Sequence, residues 1–252
     1  MTQRGRMDVY WLEQAEDDIP AGNDWLSEGE TVRLNGMRFA KRRGDWRLGR
    51  WTAKCAVAAC LGLSSQSDSL PRIEIRPEPC GAPEVYLGNR RAPVNISISH
   101  SHGVAVCAIA RGDTFLGCDL EVVERRGDAF LADYFTLAEQ RWMERLPHDL
   151  RCRAATLFWS AKESALKALR QGLRVDTRDV AVTLADGVEG AGDGWNRLQV
   201  KYVNGRKLGG WWREEHRMVH TIVAAARLLP PVLLKTAAAG MWLRRELEYR
   251  QA

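Results

Sequence analysis

The sequence has no long uninterrupted apolar run. Nowhere does it reach the roughly 18 consecutive apolar residues that a membrane-spanning helix needs. The stretch MTQRGRMDVY at the start also lacks the apolar core of a secretory signal peptide. We therefore expect a cytoplasmic protein with no membrane partner.

Cysteine and histidine patterns that hold metals are also missing. The six cysteines are scattered without CxxC spacing and lie mostly in apolar stretches, which predicts small buried thiols kept reduced. His216 and His220 stand four residues apart, but they fall in a predicted strand, where that spacing separates them by ~13 Å. We assign them no role. The lack of a histidine and aspartate metal cluster also gives little support to a metal-dependent phosphohydrolase.

The charge balance is modestly basic. The chain of 252 residues carries 37 lysines and arginines against 32 aspartates and glutamates, a net charge of +5. This excess favours an anionic ligand or an acidic protein partner, and it does not indicate nucleic acid. The length allows one large domain or two small ones.

Short strands and a few helices alternate along the chain, which indicates an α+β fold. Two capping-box spacings, Ser27 with Glu30 and Thr136 with Glu139, each open a helix. A β-branched run, Val104 to Ala110, predicts a buried strand. We expect it to form a hairpin with the strand Thr114 to Val123 across the turn at residues 111–113.

The chain contains an internal repeat. Trp51-Thr52-Ala53-Lys54 matches Trp159-Ser160-Ala161-Lys162, and each lies at a similar distance after its capping box. We expect a pseudo-dimer of two similar α/β halves, each a small antiparallel sheet packed with a long helix. The predicted boundaries are residues 1–115, residues 116–229 and a peripheral C-terminal helix within 230–252, at Leu233 to Glu248. The halves differ where the second has Glu163 and the first has Cys55.

Carboxylates converge in the second half. Asp119 and Glu121 share one face of their strand because successive side chains alternate. On the helix Ala154 to Leu169, Glu163 can point at that pair. Three oxygen ligands without cysteine or histidine suit Mg²⁺. Taken alone, the strand pair also fits a solvated face, and Glu163 with Lys167 also fits an ordinary helix ion pair.

A basic stretch interleaved with tryptophans precedes the alanine-rich helix of the first half. A solvated helical face is one interpretation of these charges. Binding of a polyanion by several converging cations is the other. The stretch contains Lys41, Arg42, Arg43, Arg47, Arg50 and Lys54.

Three motifs resemble those of the 4′-phosphopantetheinyl transferases of the surfactin-synthetase-activating (Sfp) type. They are ISISHSHG at Ile96 to Gly103, GCDLE at Gly117 to Glu121 and FWSAKESALK at Phe158 to Lys167. Each motif is weak alone. The three in this order, in a chain with two similar halves, are specific, and the resemblance spans about residues 7 to 227.

The resemblance implies a Mg²⁺-dependent enzyme that moves the phosphopantetheine arm of coenzyme A to a serine of an acidic apo carrier protein or domain, with release of 3′,5′-ADP. It implies a metal held by Asp119, Glu121 and Glu163, with Glu163 as the base for the carrier serine, directly or through water. The remaining implied site residues contact coenzyme A, and among them His100 and Lys167 also take part in catalysis: Ser99, His100, Lys162, Lys167, Arg42, Arg43 and Arg50.

This chain departs from the family pattern at one point. Members often carry Gly-Lys-Pro before the Ser-His motif, whereas this chain has Gly81-Ala82-Pro83. The 3′-phosphate is then expected to bind Arg90, Arg91 or the earlier basic stretch. We expect a monomer and a secondary-metabolite setting, although the carrier could serve fatty acid, polyketide, nonribosomal peptide or siderophore synthesis. The alternative is a non-catalytic coenzyme A or carrier-binding module with the same fold.

Overall fold

The computed structural model describes residues 6–171, 175–190 and 194–235. It confirms the α+β class, with antiparallel sheets covered by helices. The helices are α1 Glu28–Asn35, α2 Ala40–Leu61, α3 Asp128–Tyr134, α4 Leu137–Glu144 and α5 His148–Ala168. The strands are β1 Tyr10–Ala15, β2 Ile73–Pro77, β3 Pro83–Leu87, β4 Arg90–Arg91, β5 Val94–Ser101, β6 Val104–Arg111, β7 Leu116–Val122, β8 Val180–Leu184, β9 Asn196–Tyr202, β10 Lys207–Glu215, β11 Met218–Ala224 and β12 Val232–Leu233.

Both predicted capping boxes form. The Ser27 hydroxyl accepts from the Glu30 backbone N–H at 3.2 Å, and the Glu30 carboxylate accepts from the Ser27 N–H at 3.0 Å. Thr136 and Glu139 make the same reciprocal pair at 3.2 and 2.8 Å. Each box satisfies two N–H groups that a helix start otherwise leaves unpaired.

Two sheets stack face to face between two long helices. The first has the strand order β12-β1-β6-β5 and the second β7-β11-β10-β9-β8, and β2, β3 and β4 form a third, small sheet. Apolar side chains fill the space between the two large sheets, including Trp11, Val106, Cys118 and Ile222. Helix α2 packs on the outer face of the first sheet and α5 on the outer face of the second.

The predicted hairpin is wrong. The partner of β6 in its hairpin is β5, joined through the turn at His102 and Gly103, both with positive φ. Strand β7 instead pairs with β11, so it belongs to the second sheet. The segment 111–115 therefore connects the two halves. The buried run of β6 needs a strand on each side, and β1 and β5 already fill both places.

The two halves have the same order of elements. Strand β1 corresponds to β7, α1 to α4, α2 to α5 and the hairpin β5–β6 to the hairpin β10–β11. In the register, Ala15 pairs with Val104 next to one hairpin turn, and Val122 pairs with Met218 next to the other. These pairs make Gln14 the counterpart of Glu121.

Two boundaries differ from the sequence expectation. Helix α5 begins at His148, directly after Pro147, and so adds nearly two turns to the predicted helix. Leu233 lies in β12, which runs parallel to β1, and Leu234 and Lys235 are not helical. Residues 236–248 of the predicted C-terminal helix lie outside the described residues. Among the helices of the described ranges, none combines the length and the apolar character needed to cross a bilayer.

Candidate active site

Gly117 brings α5 close to β7. A Cβ placed on Gly117 would lie 1.9 Å from the carbonyl oxygen of Ser164, so only glycine permits this approach. Alternation along β7 puts Asp119 and Glu121 on the same face as Gly117. Both carboxylates therefore face the helix that carries Glu163.

Asp119 forms the centre of a buried polar cluster. Its side chain is 5% exposed, and its Oδ1 accepts hydrogen bonds from Ser99 Oγ at 2.7 Å and from Lys167 Nζ at 2.9 Å. Lys167 Nζ also donates to Ser99 Oγ at 3.2 Å and to the Cys118 carbonyl at 2.9 Å. Burial lowers the pKa of Lys167, but the charges of Asp119, Cys118 and Glu163 and the hydrogen bond to Asp119 together outweigh burial and raise the pKa. Lys167 therefore stays cationic beside the carboxylate.

Glu121 lies at the edge of the same cluster. Trp159 Nε1 donates to its Oε1 at 3.0 Å, and the Arg126 guanidinium lies 3.0 Å from its Oε2. Burial raises the pKa of Glu121, and Asp119 raises it further, whereas Arg126 and Trp159 oppose the shift. Arg126 was not found by sequence reasoning, because it lies in the irregular segment after β7.

Glu163 has one carboxylate oxygen with no partner. Its Oε1 is buried and makes no hydrogen bond. Burial raises the pKa of Glu163, and the charges of Asp119 and Glu121 add to this increase, while Lys167 opposes it. A carboxylate with a raised pKa and a free oxygen can accept a proton or bind a cation.

The donor set fits a hard cation. Asp119 Oδ2 and Glu163 Oε1 are buried oxygens without hydrogen-bond partners, and both belong to carboxylates that Mg²⁺ prefers. Within the described residues, however, no three His, Cys, Asp or Glu side chains are already assembled as a metal site. The nearby positive charges come instead from Lys167 and Arg126. A divalent cation would relieve the repulsion among the three carboxylates.

Ser99 and His100 lie on opposite faces of β5. Ser99 points toward Asp119, whereas His100 lines a cavity of about 460 Å³ on the α2 side together with Lys41, Arg42 and Arg50. Trp46 forms part of this cavity wall, and the Arg50 guanidinium lies 4.8 Å from its ring centre. The structure thus brings His100, Arg42 and Arg50 together.

A second cavity, of about 360 Å³, continues from the first past Trp46, Arg50 and Ile98. Burial lowers the pKa of Arg50 to about 10, and the nearby Arg33 charge contributes to this decrease while Glu30 opposes it. The positive charges of Arg33 and Arg50 repel each other, and a bound anion would reduce this repulsion. The other residues with basic side chains that line this cavity are Arg76, Lys167 and Arg170.

Sequence reasoning missed Arg33, Arg76 and Arg170. Arg170 follows Lys167 by three residues, which is the one local signal available, and Arg33 and Arg76 come from elements distant in sequence. Ala82 does line the cavity, at the place of the usual family lysine. Arg91 forms an ion pair with Glu84 and lines neither cavity.

Two of the other predicted basic contacts also lie outside the cavities. Arg90 is an exposed residue of β4, and Arg43 is exposed on the first turn of α2. Neither residue lines either cavity.

Comparison with known proteins finds a family model that matches the second half. Residues 115–218 match the model of a family described as the 4′-phosphopantetheinyl transferase superfamily. This part of the chain is therefore similar to that superfamily. A relative in Nostoc sp. (strain PCC 7120 / SAG 25.82 / UTEX 2576), the 4′-phosphopantetheinyl transferase HetI, is 25% identical over 177 residues, which cover 68% of this chain and 71% of the relative. A holo-(acyl-carrier-protein) synthase from Bacillus anthracis str. Ames, crystallised in complex with CoA (3′,5′-ADP), aligns at 24% identity with a TM-score of 0.35, over 42% of this chain and 97% of that one.

The superfamily match contains all three candidate metal ligands. Asp119 and Glu121 lie near its start, and Glu163 lies in its middle. Ser99 and His100 precede the matched range. The polar cluster around Asp119 therefore combines residues of the second half with Ser99 of one strand, β5, from the first half.

Lys162 does not reach this site. Its side chain is 0% exposed, and its Nζ lies 2.9 Å from Glu139 Oε2 and donates to the carbonyl oxygens of Thr177 and Val180. These three oxygens in the core of the second half accept all three N–H groups of the Lys162 ammonium. This position contradicts the predicted contact of Lys162 with the pyrophosphate.

From residue 6 to residue 115, the described part of the first half, there is no equivalent carboxylate cluster. The strand register puts Leu12 at the place of Asp119 and Gln14 at the place of Glu121, and the repeat puts Cys55 at the place of Glu163. Burial raises the pKa of Cys55 to about 12, which a hydrogen bond with Gln14 opposes, so the thiol stays neutral. The cleft thus has acidic groups from the second half and cations mainly from the first.

Proposed function

We propose that this protein transfers the 4′-phosphopantetheine arm of coenzyme A to a serine of an apo carrier protein and releases 3′,5′-ADP, as a holo-[acyl-carrier-protein] synthase of the Sfp type does. The observation that carries the proposal is the junction of Ser99, Asp119 and Lys167. There a buried carboxylate cluster meets the 360 Å³ cavity, which Lys167 lines and which continues into the second cavity past Trp46 and Arg50. This is the charge pattern that a pyrophosphate bound to a divalent cation needs on its two sides.

The cavities suit the nucleotide end of coenzyme A. Arg50 lines both, and Trp46 offers an apolar ring between them. Arg42 at one end, and Arg33 and Arg76 at the other, are cations suited to phosphate, and the His100 side chain lies beside Arg42. This arrangement supports binding of the 3′-phosphate without the family lysine that Ala82 replaces.

Transfer requires the carrier serine oxygen to attack the β-phosphorus of coenzyme A. A new P–O bond forms to serine, the bond between that phosphorus and the bridging oxygen breaks, and 3′,5′-ADP departs with the electron pair. Glu163 takes the serine proton at its unpaired Oε1, directly or through a water. Lys167 donates to Ser99 and is suited to neutralise charge on the departing phosphate.

Mg²⁺ is the cofactor that these residues favour. Asp119, Glu121 and Glu163 would hold it, and the bound ion would supply Lewis-acid stabilisation of the phosphoryl oxygens. Before the ion binds, Lys167 and Arg126 compensate part of the carboxylate charge. Binding of the metal therefore competes with these ion pairs.

The partner is proposed to be an acidic apo carrier protein or carrier domain, which the net charge of +5 favours. A cytoplasmic location and a monomeric state stay predictions from the sequence. The pathway that the carrier serves also stays open.

The test uses purified protein, coenzyme A, Mg²⁺ and a panel of apo carriers from fatty acid, polyketide, nonribosomal peptide and siderophore synthesis. Intact-mass spectrometry should show one added phosphopantetheine on at least one carrier, and none on the same carrier with its acceptor serine changed to alanine. Asp119→Ala should abolish the reaction. Coenzyme A binding without transfer to any carrier would instead identify a non-catalytic binding module.

A further inference from the structure

The two halves bury the same lysine in the same way. Lys54 and Lys162 are both 0% exposed. Lys54 Nζ lies 2.5 Å from Glu30 Oε2 and donates to the carbonyl oxygens of Trp25 and Leu70, at 2.8 and 3.2 Å. Lys162 likewise binds one carboxylate and two carbonyl oxygens. Each ammonium thus has three acceptors, one for each of its donors.

The carboxylate partner is the capping-box glutamate in both halves. Besides holding the lysine, Glu30 Oε1 accepts from the Ile75 backbone N–H at 3.1 Å. Glu139 Oε1 accepts from the Val182 N–H at 2.9 Å. Each pair therefore ties a long helix to the short helix before it and to the strand after it. We call these two units the first anchor, Glu30 with Lys54, and the second anchor, Glu139 with Lys162.

The second anchor is adjacent to the reacting groups. Lys162 precedes Glu163, and Lys167 follows one turn later on α5. Residues at consecutive helix positions point about 100° apart, so the direction of Lys162 into the core sets the direction of Glu163 into the cleft. A buried ammonium with three fixed acceptors leaves α5 little freedom to rotate or slide.

The first anchor reaches a different functional group. Glu30 Oε1 lies 3.7 Å from Arg50 Nε, and Arg50 also donates to the Ile75 carbonyl at 3.0 Å. The anchor thus holds the guanidinium that lines both cavities. In the second half, the position of Arg50 is taken by Phe158, which packs in the core.

We propose that Lys54 and Lys162 are positioning residues, each of which orients the functional groups of its own half. Lys162 holds Glu163 and Lys167 at the metal and pyrophosphate, and Lys54 holds Arg50 at the nucleotide. The inference rests on the proposed transfer for the naming of these ligands. In this proposal Lys162 of the third motif stabilises the fold and does not contact the substrate.

The repeat supplies matched variants for the test. Lys162→Met with Glu139→Gln removes the second anchor without leaving a charge unpaired in the core. Lys54→Met with Glu30→Gln removes the first anchor and leaves Arg50 its hydrogen bond to the Ile75 carbonyl. Two dissociation constants are measured by calorimetry for each protein: that of Mn²⁺, as a probe of the carboxylates, and that of 3′,5′-ADP without metal, as a probe of the arginine cavities. Neither measurement depends on turnover.

The two paired variants should have opposite effects. Loss of the second anchor should weaken Mn²⁺ binding by about 10- to 100-fold, the range found for residues that orient metal ligands, and should weaken 3′,5′-ADP binding by a smaller factor, because Lys167 also lines one cavity. Loss of the first anchor should weaken 3′,5′-ADP binding by about tenfold or more and leave Mn²⁺ binding unchanged. A loss of metal-free 3′,5′-ADP affinity larger than the loss of Mn²⁺ affinity after removal of the second anchor would show that Lys162 touches the phosphates and would overturn the proposal. Equal losses of both affinities in both variants would also overturn it.

Milder variants cover the case in which a paired variant does not fold. Lys162→Arg and Lys54→Arg each keep a cation opposite the buried glutamate and change only the reach and geometry of its donors. They should show the same opposite pattern at smaller amplitude, and circular dichroism confirms folding before each titration. If wild-type protein binds both probes but modifies no carrier, the proposed transfer fails while the two affinities still decide the anchor proposal.

Discussion

Lys167 and Asp119 form an ion pair of 2.9 Å at the place where the two halves of the chain meet. Both residues come from the second half, and Ser99 of the first half donates to the same Asp119 oxygen. The pair therefore joins the carboxylates of one half to the basic cavities of the other. The following predictions test its role and that of its neighbours.

Lys167→Met should lower turnover by about 10²- to 10³-fold, because a donor aimed at developing phosphate charge is lost. Affinity for the carrier should change little, since the half-buried ammonium lies among Asp119, Ser99 and Cys118. Steady-state kinetics of carrier modification measure both parameters. The control is Lys201→Met, an exposed lysine of β9, and equal activity of the two variants would remove Lys167 from the mechanism.

Glu163→Gln should abolish transfer and yet stabilise the metal-free protein. The substitution removes the proposed base, and it also removes one of three mutually repelling carboxylates. Differential scanning calorimetry at neutral pH with a chelator should give a higher Tm for the variant. Added Mg²⁺ should raise the Tm of wild type and not of the variant. A lower Tm of the variant in chelator would contradict this account of the cluster.

The pH dependence of stability follows from the raised pKa values of Glu121 and Glu163. Because the folded pKa exceeds the unfolded one, protonation of these groups favours the folded state. Their contribution is fully present below 4.5, the ordinary pKa of a glutamate, and is lost as pH rises through the folded pKa. The metal-free wild type should therefore lose free energy of unfolding, relative to Glu121→Gln with Glu163→Gln, as pH increases from 4 to 7. Urea titrations between pH 4 and 7 measure the difference in free energy of unfolding between the two proteins. A difference that stays constant over this range would contradict the prediction.

Gly117→Ala should separate α5 from β7, because the new Cβ would lie 1.9 Å from the Ser164 carbonyl oxygen. We expect a loss of at least about 2 kcal/mol in the free energy of unfolding, together with loss of activity. Gly44→Ala is the matched control, since no atom lies within 4 Å of the added Cβ there and alanine favours the helix. Denaturant titration of both variants gives the comparison, and a Gly117 variant as stable as the control would refute the close approach.

Arg50→Met should weaken coenzyme A binding by about 10- to 100-fold, the equivalent of ~1.5 to 3 kcal/mol for a charged contact. The fold should tolerate the change, because Glu30 keeps Lys54 as its partner. Arg72→Met, at an exposed arginine before β2, should leave the affinity unchanged. Calorimetric titration with coenzyme A distinguishes the two, and equal affinities would exclude Arg50 from the binding site.

Local features of the sequence predicted much of the fold and part of the site. The Ser27 and Thr136 capping boxes depend on residues three apart, and the shared face of Asp119 and Glu121 depends on strand alternation alone. The stripe of α5 that carries Trp159, Glu163 and Lys167 follows in the same way from helix geometry. Each of these features depends only on residues that are close together in the sequence.

The errors concern contacts between distant segments. The residues 111–113 have the composition of a hairpin turn, but the true partner of β7 is β11, about a hundred residues later. Lys162 stands beside Glu163 and so suggested a charged contact with substrate. Its burial depends on Glu139, Thr177 and Val180, which no local pattern connects to it. Convergence of Arg33 and Arg76 on one cavity is equally non-local.

Transfer of phosphopantetheine forms two products, and both can be counted in one reaction. Protein, coenzyme A, Mg²⁺ and a responsive apo carrier are mixed, and 3′,5′-ADP is quantified by chromatography while the modified carrier is quantified by intact mass. Transfer predicts equal amounts of the two at every time point, and no 3′,5′-ADP when the carrier is omitted. Release of 3′,5′-ADP without a carrier, or no modified carrier across the whole panel, would contradict the account.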